Sequence, residues 1–217
     1  SICADEKIEP TDNSSIDAPA TIASYAWYLD DVLVDNTASP SFDAAGVGNS
    51  SIKLRVVSGD GCVDSTSKLV TVHPLPSAAF SIANTCANET AAITSNATIV
   101  SGSIVNTVWL IDGSSSAGMA TTYPFPSAGD YTVEQYVESD KGCKDTLVQT
   151  ITIDPVPSVS ANITDTAGCL PFNVTIENLS SIASGNISTY TWDWGDGSRE
   201  TADVISHTYN NVGAYTI

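Results

Sequence analysis

The sequence predicts an all-β chain made of tandem β-sandwich domains, and three observations carry that expectation. Landmark residues recur at a period of about 80 residues, alternating apolar and polar runs fill the intervals, and turn-forming dipeptides punctuate them. Thr, Ser, Val and Ile are common, and no apolar stripe of helical spacing persists for three turns.

The repeat is read from matched residues. Trp27, Trp109 and Trp192 stand 82 and 83 residues apart, and Gly48, Gly129 and Gly213 stand 81 and 84 apart. Cys3, Cys86 and Cys169 are spaced 83 and 83. Gly61-Cys62-Val-Asp64 matches Gly142-Cys143-Lys-Asp145, and the exit Val70-Thr-Val-His-Pro-Leu-Pro76 matches Ile151-Thr-Ile-Asp-Pro-Val-Pro157. These marks set three repeats, 1–75, 76–156 and 157–217. Ser50–Val56, Tyr131–Val137 and Val174–Asn178 alternate as half-buried strands. Gly59-Asp-Gly61, Asp112-Gly113, Asp140-Lys-Gly142 and Asp196-Gly197 supply the turns. The Pro-x-Pro pairs at 74–76 and 155–157 remove backbone donors and read as short, stiff links in an elongated array. Seven or so short strands around one tryptophan per repeat point to immunoglobulin-like sandwiches. Trp27, Trp109 and Trp192 are then the central core residues, and Trp194 is buried too, because Leu29 and Ile111 hold its place in the other copies. The chain stops at Gly213-Ala-Tyr-Thr-Ile217 in the middle of an expected strand. The third copy is therefore expected to lack its C-terminal strand, and the chain reads as an internal piece of a longer protein.

With 25 acidic against 7 basic residues the net charge is −18, and the acids are spread over all three repeats. That balance argues against nucleic acid and anionic membrane as partners. No run approaches the 18 apolar residues of a membrane helix, and the first residues have no signal-peptide character.

The densest stretch, Thr189-Tyr-Thr-Trp-Asp-Trp-Gly-Asp-Gly197, raises the question of a site. A calcium loop of the EF-hand type needs oxygen ligands at alternate positions and a later bidentate Glu. Here Asp193 and Asp196 are three apart and the second opens a glycine turn, so they are expected to cap backbone amides. They stand as weak calcium candidates, and no other cofactor is implied. The two histidines, His73 and His207, fall in a link and beside the aromatic Tyr209, and no Ser-His-Asp or Cys-His grouping can be assembled. The chain is expected to be non-catalytic.

The five cysteines, Cys3, Cys62, Cys86, Cys143 and Cys169, read as one early and one late thiol per repeat, paired in an oxidising compartment. Two schemes stand. Bonds within each repeat join Cys3 to Cys62 and Cys86 to Cys143. Staggered bonds join Cys3 to Cys143, leaving Cys62 for a preceding domain and Cys86 for a cysteine beyond 217. A sandwich is a good 20 Å long at ~3.3 Å per strand residue, whereas bonded Cα atoms lie within about 7 Å. Opposite-end placement favours the staggered scheme, and a bent first strand rescues the other.

Trp192-Asp-Trp-Gly-Asp-Gly197, then His207-Thr-Tyr209, then Gly213-Ala-Tyr215, closely resembles the signature of the polycystic-kidney-disease (PKD) domain, W-D-F-G-D-G, H-x-Y and G-x-Y-x-V. Repeats one and two keep the tryptophan and lose the Gly-Asp-Gly, like looser immunoglobulin-like relatives. The resemblance implies a stalk or adhesin segment of a secreted bacterial surface protein or filament, exported by the type IX system and associated with gliding. Its implied partners are neighbouring repeats, further copies, surface polysaccharide or host and substratum ligands. The alternatives are carbohydrate-binding accessory modules of a secreted hydrolase, or subunits of a polymerising fibre.

Overall fold

Strand pairing follows the alternation closely. The computed structural model describes residues 1–201 and 205–217, and among them there is no helix. In the first repeat the strands are β1 (Ile2–Cys3), β2 (Lys7–Ile8), β3 (Ile22–Leu29), β4 (Val32–Asp35), β5 (Phe42–Asp43), β6 (Gly48–Ser58) and β7 (Val63–His73). Five form one sheet in the order β1-β7-β6-β3-β4, with β2 and β5 paired separately. Trp27, Leu29 and Leu54 project from one face of this sheet and bury against Ile8 and Phe42. The Trp27 indole donates to the Thr37 carbonyl at 2.9 Å, which satisfies its polar edge.

The second repeat contributes β8 (Phe80–Ala83), β9 (Thr90–Ser95), β10 (Ile104–Ile111), β11 (Ser114–Ala117), β12 (Ala120–Pro124), β13 (Gly129–Ser139) and β14 (Lys144–Ile153). They form two sheets, β11-β10-β13-β14 and β12-β9-β8. Trp109 is fully buried and donates to the Gly118 carbonyl at 2.9 Å, repeating the Trp27 bond. In β13 the residues Val133, Gln135 and Val137 alternate inward. The buried Gln135 Nε2 donates to Ser95 Oγ at 2.6 Å.

The third repeat adds β15 (Ala161–Ile163), β16 (Phe172–Asn178), β17 (Trp192–Asp193), β18 (Arg199–Glu200) and β19 (Ile205–Tyr209). The sheet order is β15-β16-β19, with β17 and β18 as a separate hairpin. Its core is Val174, Ile176, Trp194 and Tyr209. Here the expected core position shifts by one inward-facing residue. Trp192 is half-buried at the margin, whereas Trp194 is 0 % exposed. An indole is larger than the Leu29 and Ile111 side chains at the matching places, so it takes the centre. The run from Gly213 to Ile217 enters no strand ladder.

The chain divides into two compact units. One comprises Ser1–Ser81, Ile93–Thr121 and Thr132–Gln149, and the other comprises Ile82–Ala92, Thr122–Tyr131 and Thr150–Ile217. The first holds the Trp27 and Trp109 cores. The second holds the Trp194 core and the cluster around Phe125, which packs edge-on to Tyr123 and tilted against Tyr131.

Candidate functional site

The third-repeat signature is a bonded turn. After β17 the chain reverses through Gly195 and Gly197, and the Trp194 amide donates to the Ser198 carbonyl at 3.1 Å. A Cβ at Gly195 would meet the Thr216 carbonyl oxygen at 2.5 Å, and its φ is +73°, so this position has no room for a side chain. Asp193 Oδ1 accepts the Gly195 amide at 3.1 Å, and Oδ2 pairs with Arg199 Nη2 at 2.9 Å. The Gly195 amide first and then the Arg199 guanidinium hold its carboxyl below the ordinary value. Asp196 Oδ1 accepts the Ser198 amide at 3.0 Å and the Ser198 hydroxyl, while Oδ2 meets His207 Nε2 at 2.8 Å. The hydroxyl bond, the Ser198 amide and His207, in that order, lower the Asp196 carboxyl to about 2.

An aromatic stack backs the turn. His207 lies flat on Trp194 with centroids 4.8 Å apart and edge-on to Tyr209 at 4.7 Å. The Tyr209 hydroxyl donates to the Trp194 carbonyl at 2.8 Å, and burial raises its pKa. Tyr215 stacks on Tyr209 at 4.3 Å. The Ser198 hydroxyl is bonded to the carboxylate rather than to the imidazole, so the group lacks the hydroxyl-on-base geometry of nucleophilic catalysis. Both weak calcium candidates, Asp193 and Asp196, engage turn amides and a basic side chain. Among the described residues no three His, Cys, Asp or Glu side chains gather as metal ligands.

The cysteines form one bond, Cys3–Cys143, across a sequence separation of 140. Cys3 lies at the exit of its own repeat, where β1 runs parallel to β7 and the Ala4 amide donates to the His73 carbonyl at 3.0 Å. Cys143 closes the β13–β14 turn: Ser139 donates to the Cys143 carbonyl at 2.8 Å, and Ser139 Oγ accepts its amide at 3.1 Å. The same two bonds recur between Ser58 and Cys62 at 2.8 and 3.1 Å. Cys86 repeats the setting of Cys3, bridging Asp154 while the Ala87 amide donates to the Asp154 carbonyl at 2.8 Å. The structure thus carries the staggered bond. Cys62, Cys86 and Cys169, expected in disulfides, are exposed free thiols. A staggered bond joins the early cysteine of one repeat to the late cysteine of the next, and Cys3 with Cys143 is the one pair in that order within 1–217.

Two features went unread in the sequence. Tyr131 and Tyr215 each donate a hydroxyl to the carbonyl four residues back, Ser127 at 3.0 Å and Asn211 at 3.1 Å, a tyrosine corner. The shared Gly-x-Tyr spacing was their signal, and the first repeat has Ser50 there instead. Asp145 Oδ2 accepts the Ala78 amide at 2.7 Å, a contact 67 residues apart with no local signature.

Buried indoles, bonded turns and tyrosine corners on all-β sandwiches define a class, the immunoglobulin-like repeat. Residues 153–217 match the family described as PKD domain. The pre-pro-metalloprotease PrtV of Vibrio cholerae is 30% identical over 145 residues, covering 65% of this chain and 15% of that protein. The chain thus spans a small part of that relative's length. The crystal structure of the PKD1 domain of the same metalloprotease is 31% identical, covers 37% of this chain and 98% of its own, and has a TM-score of 0.34. The N-terminal eight immunoglobulin domains of Down Syndrome Cell Adhesion Molecule cover 84% of this chain and 26% of their own, at 15% identity and a TM-score of 0.53, a likeness of fold alone.

Proposed function

We propose that this segment is a spacer of a large extracellular bacterial protein, a surface stalk or filament part that holds an adhesive tip and serves adhesion or gliding. The observation that carries the reading is the Cys3–Cys143 bond. Disulfides persist in oxidising compartments, and a bond across 140 residues shields that length of chain from load. At ~3.4 Å per residue the shielded length is about 480 Å. Pulling single molecules from the two termini measures it. Reductant is expected to add about 480 Å to the full extension. An unchanged extension, with all thiols free in non-reducing peptide maps, sinks the proposal.

The metalloprotease relative favours one further reading, an accessory module attached to a secreted hydrolase. That reading predicts retention on an insoluble polysaccharide or protein substrate, which a pull-down with the chain measures directly.

A further inference from the structure

We propose that the outward face of the first repeat's sheet docks on the outward face of the second repeat's sheet in another copy of this chain. Residues directly opposite one another in neighbouring strands share a sheet face, so the strand register defines both surfaces. In the first repeat Tyr28 stands between Leu33 and Lys53, Ala26 faces Arg55, and Ser51 faces Leu69. Trp27, Leu29 and Leu54 take the opposite side, in the core. The outward side of β3, β6 and β7 therefore carries two cations and no carboxylate. Strands β3 and β6 contain no acid, and Asp64 of β7 stands opposite Val56 on the inward side. In a chain of net charge −18 such a face is an exception. The Lys53 ammonium lies over the Tyr28 ring, 5.9 Å from its centre, and Leu33 and Leu69 are 50% and 69% exposed.

The second repeat presents the opposite charge at the same places. Glu134, 81 residues after Lys53, stands opposite Leu110, 82 residues after Tyr28. Glu138 follows on the same face, opposite Asn106. Lys144 is the one basic residue of β10, β11, β13 and β14, and its ammonium lies over Tyr136 at 5.8 Å. Val148 alternates with Lys144 on this side, and Leu110 and Val148 are 44% and 59% exposed. Among the described residues no ion pair engages Lys53, Arg55, Glu134 or Glu138. Laid face to face, Lys53 and Arg55 answer Glu134 and Glu138, while Tyr28, Leu33 and Leu69 answer Leu110 and Val148. The apolar part favours a second copy over a free anion, which would leave Leu33 and Leu69 in water. Charge complementarity of this kind sets register and partner choice more than strength.

Sedimentation velocity at physiological salt reads the association, because charges more than ~8 Å apart are screened there and contacting pairs are not. The mean mass of the unaltered chain is expected to rise above that of the monomer as its concentration is raised. Lys53→Glu with Arg55→Glu, and separately Glu134→Lys with Glu138→Lys, are each expected to weaken self-association by about ten-fold or more, since like charges then face each other. Mixing the two variants is expected to restore it. The first variant has two acidic faces and the second has two basic ones, while both chains stay acidic overall. General attraction therefore does not produce the rescue, and neither does a folding defect. The single reversals Lys53→Glu and Glu134→Lys repeat the design should a double variant fold poorly. A monomer at every concentration overturns the proposal, as does self-association untouched by either reversal or a mixture that restores nothing. A monomer that is retained on an alginate resin through Lys53 and Arg55 assigns the basic face to an acidic polysaccharide and also overturns it. Pulling on single molecules gives the same extension whether or not copies associate, so this proposal and the spacer reading fail separately.

Discussion

Asp196 shows what a single side chain contributes to the third-repeat signature. Its carboxylate holds the turn through Ser198 and holds His207 flat against Trp194. The sign of the pH effect follows from the lowered carboxyl. A group whose folded value lies below the ordinary 3.8 stabilises the fold in its ionised form. That contribution is complete above 3.8 and is lost as the pH falls through about 2. Urea midpoints taken across this window are expected to fall less steeply in Asp196→Asn than in the unaltered chain. Parallel acid limbs in the two proteins contradict the assignment. The exposed Arg199–Asp193 pair is worth little by comparison, since solvent screens both charges.

At the scale of elements, the two-residue hairpins separate good local chemistry from tolerated strain. Between β10 and β11 the loop is Asp112-Gly113, with φ of 46° and 77°. Both residues are left-handed, as the mirror-image turn between twisted strands requires, and Gly suits the second place. Between β3 and β4 the same loop is Asp30-Asp31, with φ of 49° and 66°. Asp30 is useful there, because its carboxylate accepts the Ser51 amide at 2.7 Å. Asp31 has no comparable bond and carries a Cβ in a left-handed conformation. Asp31→Gly is therefore expected to stabilise the first repeat by about 0.5–1 kcal/mol, read as a higher thermal midpoint. A fall in the midpoint refutes the strain argument. The Asp-Gly turn was legible in the sequence. The Asp-Asp turn was not, because its identity depends on strand pairing around it rather than on its own residues.

At the scale of the molecule one covalent bond, Cys3–Cys143, joins the first two repeats. On a chain-entropy account, closing a loop of this length restricts the unfolded state by about 5 kcal/mol. Cys143→Ser is expected to lower stability by up to that amount and to leave Cys3 alkylatable, whereas Cys62→Ser leaves the oxidised chain unchanged. Denaturant midpoints with and without reductant read the difference, and equal midpoints for Cys143→Ser and the unaltered chain rule it out. The period of the repeat was legible because each copy needs its own tryptophan, turn glycines and exit prolines. Which cysteine meets which was legible only as far as two schemes, because the path of the first strand, which sets the end of the sandwich where the early thiol lies, is not written in its own residues.

The sequence alone determined the all-β class, the repeat, the inward-facing positions of the long strands and the turns. Alternation and turn chemistry are local, and each strand writes its own pattern. The tertiary structure decided which indole of the Trp192–Trp194 pair fills the core, that Cys3 bonds Cys143, and that Asp145 meets the Ala78 amide. These are set by volume and by the meeting of residues 67 to 140 positions apart. No local pattern records such distances.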